Sequence, residues 1–201
     1  MNNTGKIKMT DGLLRDNTVL SAGMIISPVI ICTDTLKNSM ALIYAFTIIT
    51  FLTVLAVHFI PKKLPYAIKV ILSAMIGSLI YIPIKHMTLE IYPEAIEGTG
   101  IYFPLIAVNS LIVYQSHNRF SKMKFKELVG NLIFYILGFD AVMLLSGFIR
   151  ELFAYGTINN QVVNMEILIS GVSEPFCGFI ILGVLCGIYR KIRVLLQKNK
   201  G

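Results

Sequence analysis

The feature that most constrains this chain is a succession of six long apolar runs separated by polar and charged linkers. Hydrophobic residues make up 55% of the 201 residues, whereas only 14% are charged. A soluble domain carries about a quarter charged residues, and its apolar residues follow a helical or strand period instead of forming unbroken runs. The sequence therefore predicts an all-α, multi-pass membrane protein.

The six runs are not equally long. They cover residues 19–32, 39–60, 66–84, 101–114, 129–149 and 167–189. An α-helix needs about 20 apolar residues to cross the hydrocarbon core of a bilayer. The second, third, fifth and sixth runs meet this requirement, and the first and fourth do not. We therefore expect the two short segments to end or break inside the membrane.

The basic residues fall mainly on one side of these six segments. An even number of spans puts both termini on that side, together with Lys6, Lys8, Arg15, Lys62, Lys63, Lys69, Arg119, Lys122, Lys124, Lys126, Arg190, Lys191, Arg193, Lys198 and Lys200. The opposite loops are mostly acidic. The positive-inside rule therefore predicts cytoplasmic termini, in a bacterial or archaeal plasma membrane. Topology and contact with anionic membrane lipids account for the net positive charge, so no nucleic-acid partner is expected.

The short segments open two consecutive three-helix units. An odd number of spans in the first unit makes the second unit enter from the opposite face, which predicts two inverted repeats at about 18–88 and 100–195 with half-helices as segments one and four. They form a single membrane domain, 18–195, between cytoplasmic tails 1–17 and 196–201. In such repeats, paired short segments point to a binding site at the membrane midplane.

Each short segment contains a polar break. Ser27-Pro28 interrupts "GMIISPVIICT", and Asn109-Ser110 interrupts "FPLIAVNSLIV". A helix that ends inside the membrane leaves backbone groups that the protein must satisfy. Two half-helices that enter from opposite faces can do this by meeting at the midplane, where these four residues would form a site. In the alternative, each segment is an ordinary bent helix whose Ser and Asn side chains bond a neighbouring helix.

Two acidic residues lie within long apolar runs. An ionised carboxylate costs several kcal/mol at the bilayer centre, so Asp140 must face protein, a cavity or a cation. It is either a stop on an ion path or a buried structural acid. Glu174-Pro175 breaks the sixth segment, because the proline frees a carbonyl there, and Glu174 is the second ion-path candidate. For Arg150-Glu151 at the end of the fifth segment, we expect a local ion pair.

Catalytic and metal-binding motifs are absent from the sequence. There is no P-loop, GxGxxG, CxxC, HExxH or GxSxG pattern. His86 and His117 fall on opposite sides of the predicted membrane and cannot share a metal. The three cysteines, Cys32, Cys177 and Cys186, lie in apolar segments and are interpreted as buried thiols. The sequence thus assigns no catalytic residue and no metal site.

Five stretches in order carry a family resemblance. They are "MIISPVIICT", "YFPLIAVNS", "HNRFSK", "GFIRELFAYGTI" and "EPFCGFIILGVLCG". From about Val19 to Arg193 the chain resembles the small six-span membrane subunits of Rnf and Nqr ion-pumping electron-transfer complexes, nearest the RnfE/NqrD branch. The resemblance implies a subunit of a redox-driven Na⁺ or H⁺ translocase. Such a subunit pairs with an oppositely oriented homologue and other subunits, and is not catalytic alone.

The chain departs from that family at two cysteines. The family's half-helices each supply a cysteine that, with two from the paired subunit, holds a [2Fe–2S] cluster at the midplane. The resemblance puts Ser27 and Ser110 at these positions. A serine hydroxyl stays protonated near neutral pH and is a poor iron ligand. A rearranged ligand set with Cys32, more than a helical turn beyond Ser27, is the alternative. We therefore expect no cofactor in this chain.

Two other functions fit the composition. The first is a stand-alone small-molecule or ion carrier, with Ser27, Asn109, Ser110, Asp140 and Glu174 lining the path. The second is the substrate-binding component of a vitamin uptake transporter, since those proteins are also six-span, basic and of similar length. The vitamin-transporter hypothesis leaves the five motif matches unexplained.

Overall fold

Four long helices dominate the computed structural model, which describes residues 17, 19–20, 30–97, 99–118, 120–159, 161–163 and 168–198. These are α1 (Leu36–His58), α2 (Tyr66–Ile91), α3 (Phe125–Tyr155) and α4 (Pro175–Lys198). Each contains a stretch long and apolar enough to cross a membrane. The all-α, multi-pass membrane class and the four long spans are thus confirmed.

Short elements connect the long helices. They are an α-helix at Pro93–Glu97, 3₁₀ turns at Gly100–Tyr102, Pro104–Val108, Phe120–Lys122 and Ser170–Ser173, a π-helix at Leu111–Gln115 and an α-helical turn at Ser116–Asn118. Strands β1 (Thr157–Ile158) and β2 (Gln161–Val162) form a small antiparallel hairpin after α3.

Local chemistry sets the helix ends. Gly156 ends α3 with φ 63°, a left-handed conformation that glycine adopts without a steric penalty. Helix α4 begins at Pro175, eight residues later than the apolar run that starts at Ile167. Glu174 is extended (ψ 147°) because the residue before a proline is driven out of the helical region. The sixth apolar run is thus broken at Glu174-Pro175, as the sequence predicted, and Glu174 lies outside the helix.

Helices α1 and α3 form the interior of the bundle. Half of the membrane-spanning window of each is buried, against 17% for α2 and 11% for α4. The rings of Phe46 in α1 and Phe139 in α3 stack with centroids 3.8 Å apart. Apolar side chains such as Leu79 on α2 and Val184 on α4 are exposed. The outer helices therefore offer wide apolar surfaces to lipid or to another membrane protein.

The bundle has two chemically different ends. At one, which we call the basic end, the 58–66 turn meets the 117–125 segment, and the rings of His58 and Phe125 lie 6.0 Å apart. At the other, which we call the acidic end, Lys37 pairs with Glu94 at 2.6 Å and the Leu36 N–H donates to Glu151 at 2.6 Å. At each end, the loops that meet are ones that the sequence assigned to the same side of the membrane.

Candidate functional site

The fourth segment is interrupted at Asn109. Its backbone is extended there (ψ 162°), between the Pro104–Val108 turn and the π-helix that follows. The Asn109 N–H donates back to Ile106 O at 3.3 Å, and its carbonyl accepts from the N–H groups of Ile112 and Val113 at 3.0 Å. Instead of ending as a half-helix, the chain continues through this break to the basic end.

The side chain of Asn109 satisfies the backbone groups that the break exposes. Its Oδ1 accepts from the N–H groups of Leu111 (2.9 Å) and Ile112 (3.2 Å). Its Nδ2 donates to Ile106 O at 2.8 Å and to Thr50 Oγ1 at 2.9 Å. An amide has two donor hydrogens and two acceptor lone pairs, and here all four are used. Asn109 therefore closes the break and ties it to α1.

Contacts with the long helices place this break near the middle of the bundle. Gly77, close to the centre of α2, lies so near Ala107 that an added Cβ would be 2.2 Å from the Ala107 carbonyl oxygen. Thr50 lies one turn from Thr47, the central residue of α1. Glycine in α2 thus permits the close approach that brings the break to mid-depth.

Asp140 lies at the same depth, at the centre of α3. Thr47 Oγ1 donates to its Oδ2 at 3.0 Å, and the residue is 9% exposed. Its Oδ1 is buried and has no hydrogen-bond partner among the described residues. Thr47 and Thr50 are about 4.5 Å apart along the helix axis. The structure therefore brings Asp140 and Asn109 to adjacent turns of α1.

A second asparagine repeats the arrangement in the first half of the chain. Asn17 is 2% exposed, and its Nδ2 donates to Gly138 O in α3 at 2.7 Å. Its Oδ1 accepts from the N–H groups two and three residues later, those of Val19 and Leu20, both at 3.0 Å. Asn109 makes the same pair of bonds. The packed domain therefore includes Asn17, which the sequence assigned to the tail.

We call this set of mid-depth residues the polar layer: Asn17, Thr47, Thr50, Asn109, Ser110 and Asp140. The sequence predicted Asn109, Ser110 and Asp140 but missed the three others. The threonines had a detectable signal, because Thr47, Thr50 and Thr53 recur every three residues in an otherwise apolar helix. Asn17 had none, since it stands in a polar stretch before the first apolar run.

The remaining predicted site residues lie elsewhere or are not described. Ser110 has a buried hydroxyl with no partner among the described residues. Glu174 is exposed at the start of α4, outside the polar layer. Ser27 and Pro28 lie outside the described residues. The structure thus joins Asn109, Ser110 and Asp140 through α1 and α3, and leaves Glu174 at the acidic end.

Arg150 and Glu151 bind separate partners. Arg150 is 1% exposed and donates to three backbone carbonyls: Nε to Val172 O at 3.2 Å, and the terminal nitrogens to Ile30 O and Ser173 O. Glu151 accepts from the Leu36 N–H and from Thr157 Oγ1 at 3.0 Å. The expected local ion pair is therefore wrong, because consecutive helix residues do not face each other.

The donors near the break do not fit an iron–sulfur cluster. Residue 110 offers a hydroxyl, which binds iron poorly. Cys32 is buried beside Thr33, whose hydroxyl lies 3.1 Å from Ser146 Oγ. Ser146 lies on the acidic-end side of the Thr47–Asp140 contact, and Thr50 lies on its basic-end side. From the rise per residue in the two helices, Cys32 and the break are roughly 13 Å apart along the bundle axis. The described residues contain no group of three or more His, Cys, Asp or Glu that could hold a metal.

The chain is similar to known membrane proteins along most of its length. Residues 6–186 match a family model described as "Rnf-Nqr subunit, membrane protein". The subunit designated E of the ion-translocating oxidoreductase complex of Pseudoalteromonas atlantica is 28% identical over 153 residues, which cover 73% of this chain and 63% of that relative. The subunit designated D of the Na(+)-translocating NADH-quinone reductase of Shewanella baltica is 21% identical over 204 residues, 96% of this chain and 95% of that relative.

Proposed function

The chain belongs to the Rnf-Nqr family of membrane subunits, and on this premise we propose that it is an integral subunit of a complex that couples electron transfer to Na⁺ or H⁺ translocation. The match confirms the resemblance inferred from the motifs. The relatives are named as subunits of ion-translocating oxidoreductases, which supports a subunit role rather than independent catalysis.

The observation that carries the proposal is the carboxyl group of Asp140, of which only one oxygen has a hydrogen-bond partner within the described part of the chain. A buried carboxylate with one unpartnered oxygen at the bilayer centre is strongly unfavourable unless a proton or cation neutralises it. We assign to Asp140 the transient binding of the translocated ion. Thr47 holds one carboxyl oxygen and leaves the other available. Glu174, exposed at the acidic end, would bind the ion where it enters or leaves the protein.

The same proposal leaves iron–sulfur ligation to other subunits. Serine at residues 27 and 110 replaces the thiolates that such a cluster requires. The buried hydroxyl of Ser110, which has no partner among the residues that the structure describes, suits hydrogen bonding to water or to a passing ion. Electron transfer in the complex would then proceed without a ligand from this chain.

We infer the partners from the outer surfaces and the orientation from the distribution of basic residues. The exposed apolar faces of α2 and α4 suit contact with an oppositely oriented homologous subunit. The positive-inside rule places the basic end in the cytoplasm of a bacterial or archaeal cell, with both termini on that side. The N-terminal tail and the C-terminal end of α4 would then be accessible to soluble subunits.

Purification from native membranes tests the proposal. A chain tagged at its C-terminus should co-purify with a homologous membrane subunit and a flavin-containing subunit, whereas the same chain expressed alone should contain no stoichiometric iron. An untagged membrane preparation is the control. Isolation of the chain alone from native membranes would favour the stand-alone carrier. A visible [2Fe–2S] absorption from the isolated chain would contradict the assignment of the two serines.

A further inference from the structure

A small pocket at the basic end is lined mostly by lysine, histidine and serine side chains. Its polar lining consists of His58, Lys62, Lys69, Ser116, His117 and Ser121, and it includes no acidic residue. The cavity measures about 20 Å³, which is room for one water-sized group. It lies where the ends of α1 and α2 meet the end of the fourth segment.

Two nitrogen groups at this pocket have hydrogen-bonding capacity that the described residues leave unused. Lys69 Nζ donates to Lys62 O at 2.7 Å, which leaves two of its three N–H groups available. His58 Nδ1 is buried and has no partner among the described residues. His117 Nε2 lies 2.8 Å from Ser73 Oγ, so its ring is held in place. Free N–H groups without a nearby carboxylate favour an anionic ligand.

The surroundings of the pocket indicate what carries the anion. Phe59, Tyr66 and Phe125 are 75%, 53% and 46% exposed at this end, and the rings of Phe59 and Phe125 lie 6.2 Å apart. Exposed aromatic residues at the ends of membrane helices are typical of the interface between headgroups and hydrocarbon. Beyond Tyr66 the exposed face of α2 continues with Ile68 and Ile71. A ligand bound here would contact the lysine side chains of the pocket at one end and the apolar face of α2 at the other.

We propose that this pocket binds one phosphate oxygen of an anionic phospholipid, whose phosphorus lies at the pocket mouth and whose acyl chains lie along the exposed face of α2. Lys69 and Lys62 contact the phosphate oxygens, and Phe59 and Tyr66 flank the glycerol. The bound lipid links the α1–α2 turn to Ser116 and His117. It therefore anchors the part of the fourth segment that follows the break at Asn109. This site lies outside the polar layer and does not depend on the ion-translocation proposal.

Lipid titration of the delipidated full-length protein, followed by native mass spectrometry, tests the site. We expect one short-chain phosphatidylglycerol to bind saturably, and phosphatidylcholine to bind much more weakly. Each Lys near an anionic lipid contributes about 1 kcal/mol, so Lys69→Gln and Lys62→Gln should each weaken binding roughly fivefold. Lys69→Arg should keep the affinity. Lys126→Gln, an exposed residue at the same end but outside the pocket, should leave it unchanged.

The controls separate this site from general surface charge. Equal loss of affinity in Lys126→Gln and Lys69→Gln would overturn the proposal, as would no change in either pocket variant. The Lys69→Arg variant guards against a loss caused by misfolding, because it retains the charge and the carbonyl bond. Inorganic phosphate at the same concentrations is the second ligand. If inorganic phosphate displaces the bound lipid at concentrations similar to those at which phosphatidylglycerol binds, the pocket is a soluble-phosphate site and the lipid assignment is wrong.

Discussion

The side-chain amide of Asn109 donates a 2.9 Å hydrogen bond to the hydroxyl of Thr50, and this contact ties the broken fourth segment to the central helix. The other face of the same amide caps the N–H groups of Leu111 and Ile112. One side chain therefore both permits the break and fixes its position. The contribution of each bond can be measured separately.

We expect Asn109→Ala to lower the free energy of unfolding by about 3 kcal/mol, because it removes four side-chain hydrogen bonds and leaves the buried Leu111 N–H without its acceptor. Thr50→Val removes only one bond and should cost about 1 kcal/mol. Unfolding in detergent, followed by circular dichroism, measures both. In the double variant the Thr50 substitution should add almost nothing, since its partner is already gone. Strict additivity of the two effects would contradict the contact.

Gly77→Ala tests the close approach of α2 to the fourth segment. The new Cβ would lie 2.2 Å from the Ala107 carbonyl oxygen, so backbone must move, and overpacking of this kind costs about 1–3 kcal/mol. Gly183→Ala in α4 is the matched control, because, outside its own helix backbone, no atom of the described residues lies within 4 Å of the added Cβ. The melting temperature should fall for the first variant and stay level or rise for the second.

Arg150 should be a strong determinant of stability. Its guanidinium group caps three backbone carbonyls, so Arg150→Met removes three hydrogen bonds made by a buried charged group and should lower the free energy of unfolding by about 3 kcal/mol or more. The exposed Arg190 on α4 provides the comparison, with an expected change within about 0.5 kcal/mol for Arg190→Met. Similar melting temperatures for the two variants would show that the carbonyl contacts contribute little.

Asp140→Asn separates ion binding from folding. The amide oxygen can still accept the Thr47 hydrogen bond, so the melting temperature should not fall, whereas ion transport by the reconstituted complex should drop at least about tenfold. Glu94→Gln replaces an exposed acid at the acidic end and should leave transport unchanged. Unaltered transport in Asp140→Asn would remove this residue from the proposed ion path.

His117 should make stability depend on pH. Burial, and then the charge of Lys69, lower the pKa of His117 below its ordinary value of 6.5. The folded protein therefore binds fewer protons there than the unfolded chain, and stability is lost as pH falls from 6.5 through that lower pKa. The titratable groups that face the ring are Tyr66, Lys69, His58 and Lys62. Between pH 7.5 and 5, the melting temperature should change less with pH for His117→Gln than for the native chain.

Hydropathy predicted the membrane class and the long spans because lipid imposes a minimum apolar length on every crossing. Hydropathy alone did not place the start of α4, because the apolar run continues through a 3₁₀ turn and the predicted break at Glu174-Pro175 decides where the helix begins. It also failed for Arg150 and Glu151, which are neighbours in sequence but project toward different elements. The composition of a sequence window carries no information about the direction in which each side chain projects.

The sequence by itself determined how many long helices cross the membrane, which loops share an end, and that the fourth segment is polar at its centre. Only the tertiary structure decided which polar groups meet: Asn109 with Thr50, Asp140 with Thr47, and Asn17 with the Gly138 carbonyl. These partners are 59, 93 and 121 residues apart. Crossing a bilayer depends on local apolar length, whereas a buried polar group takes whichever partner helix packing brings to its depth.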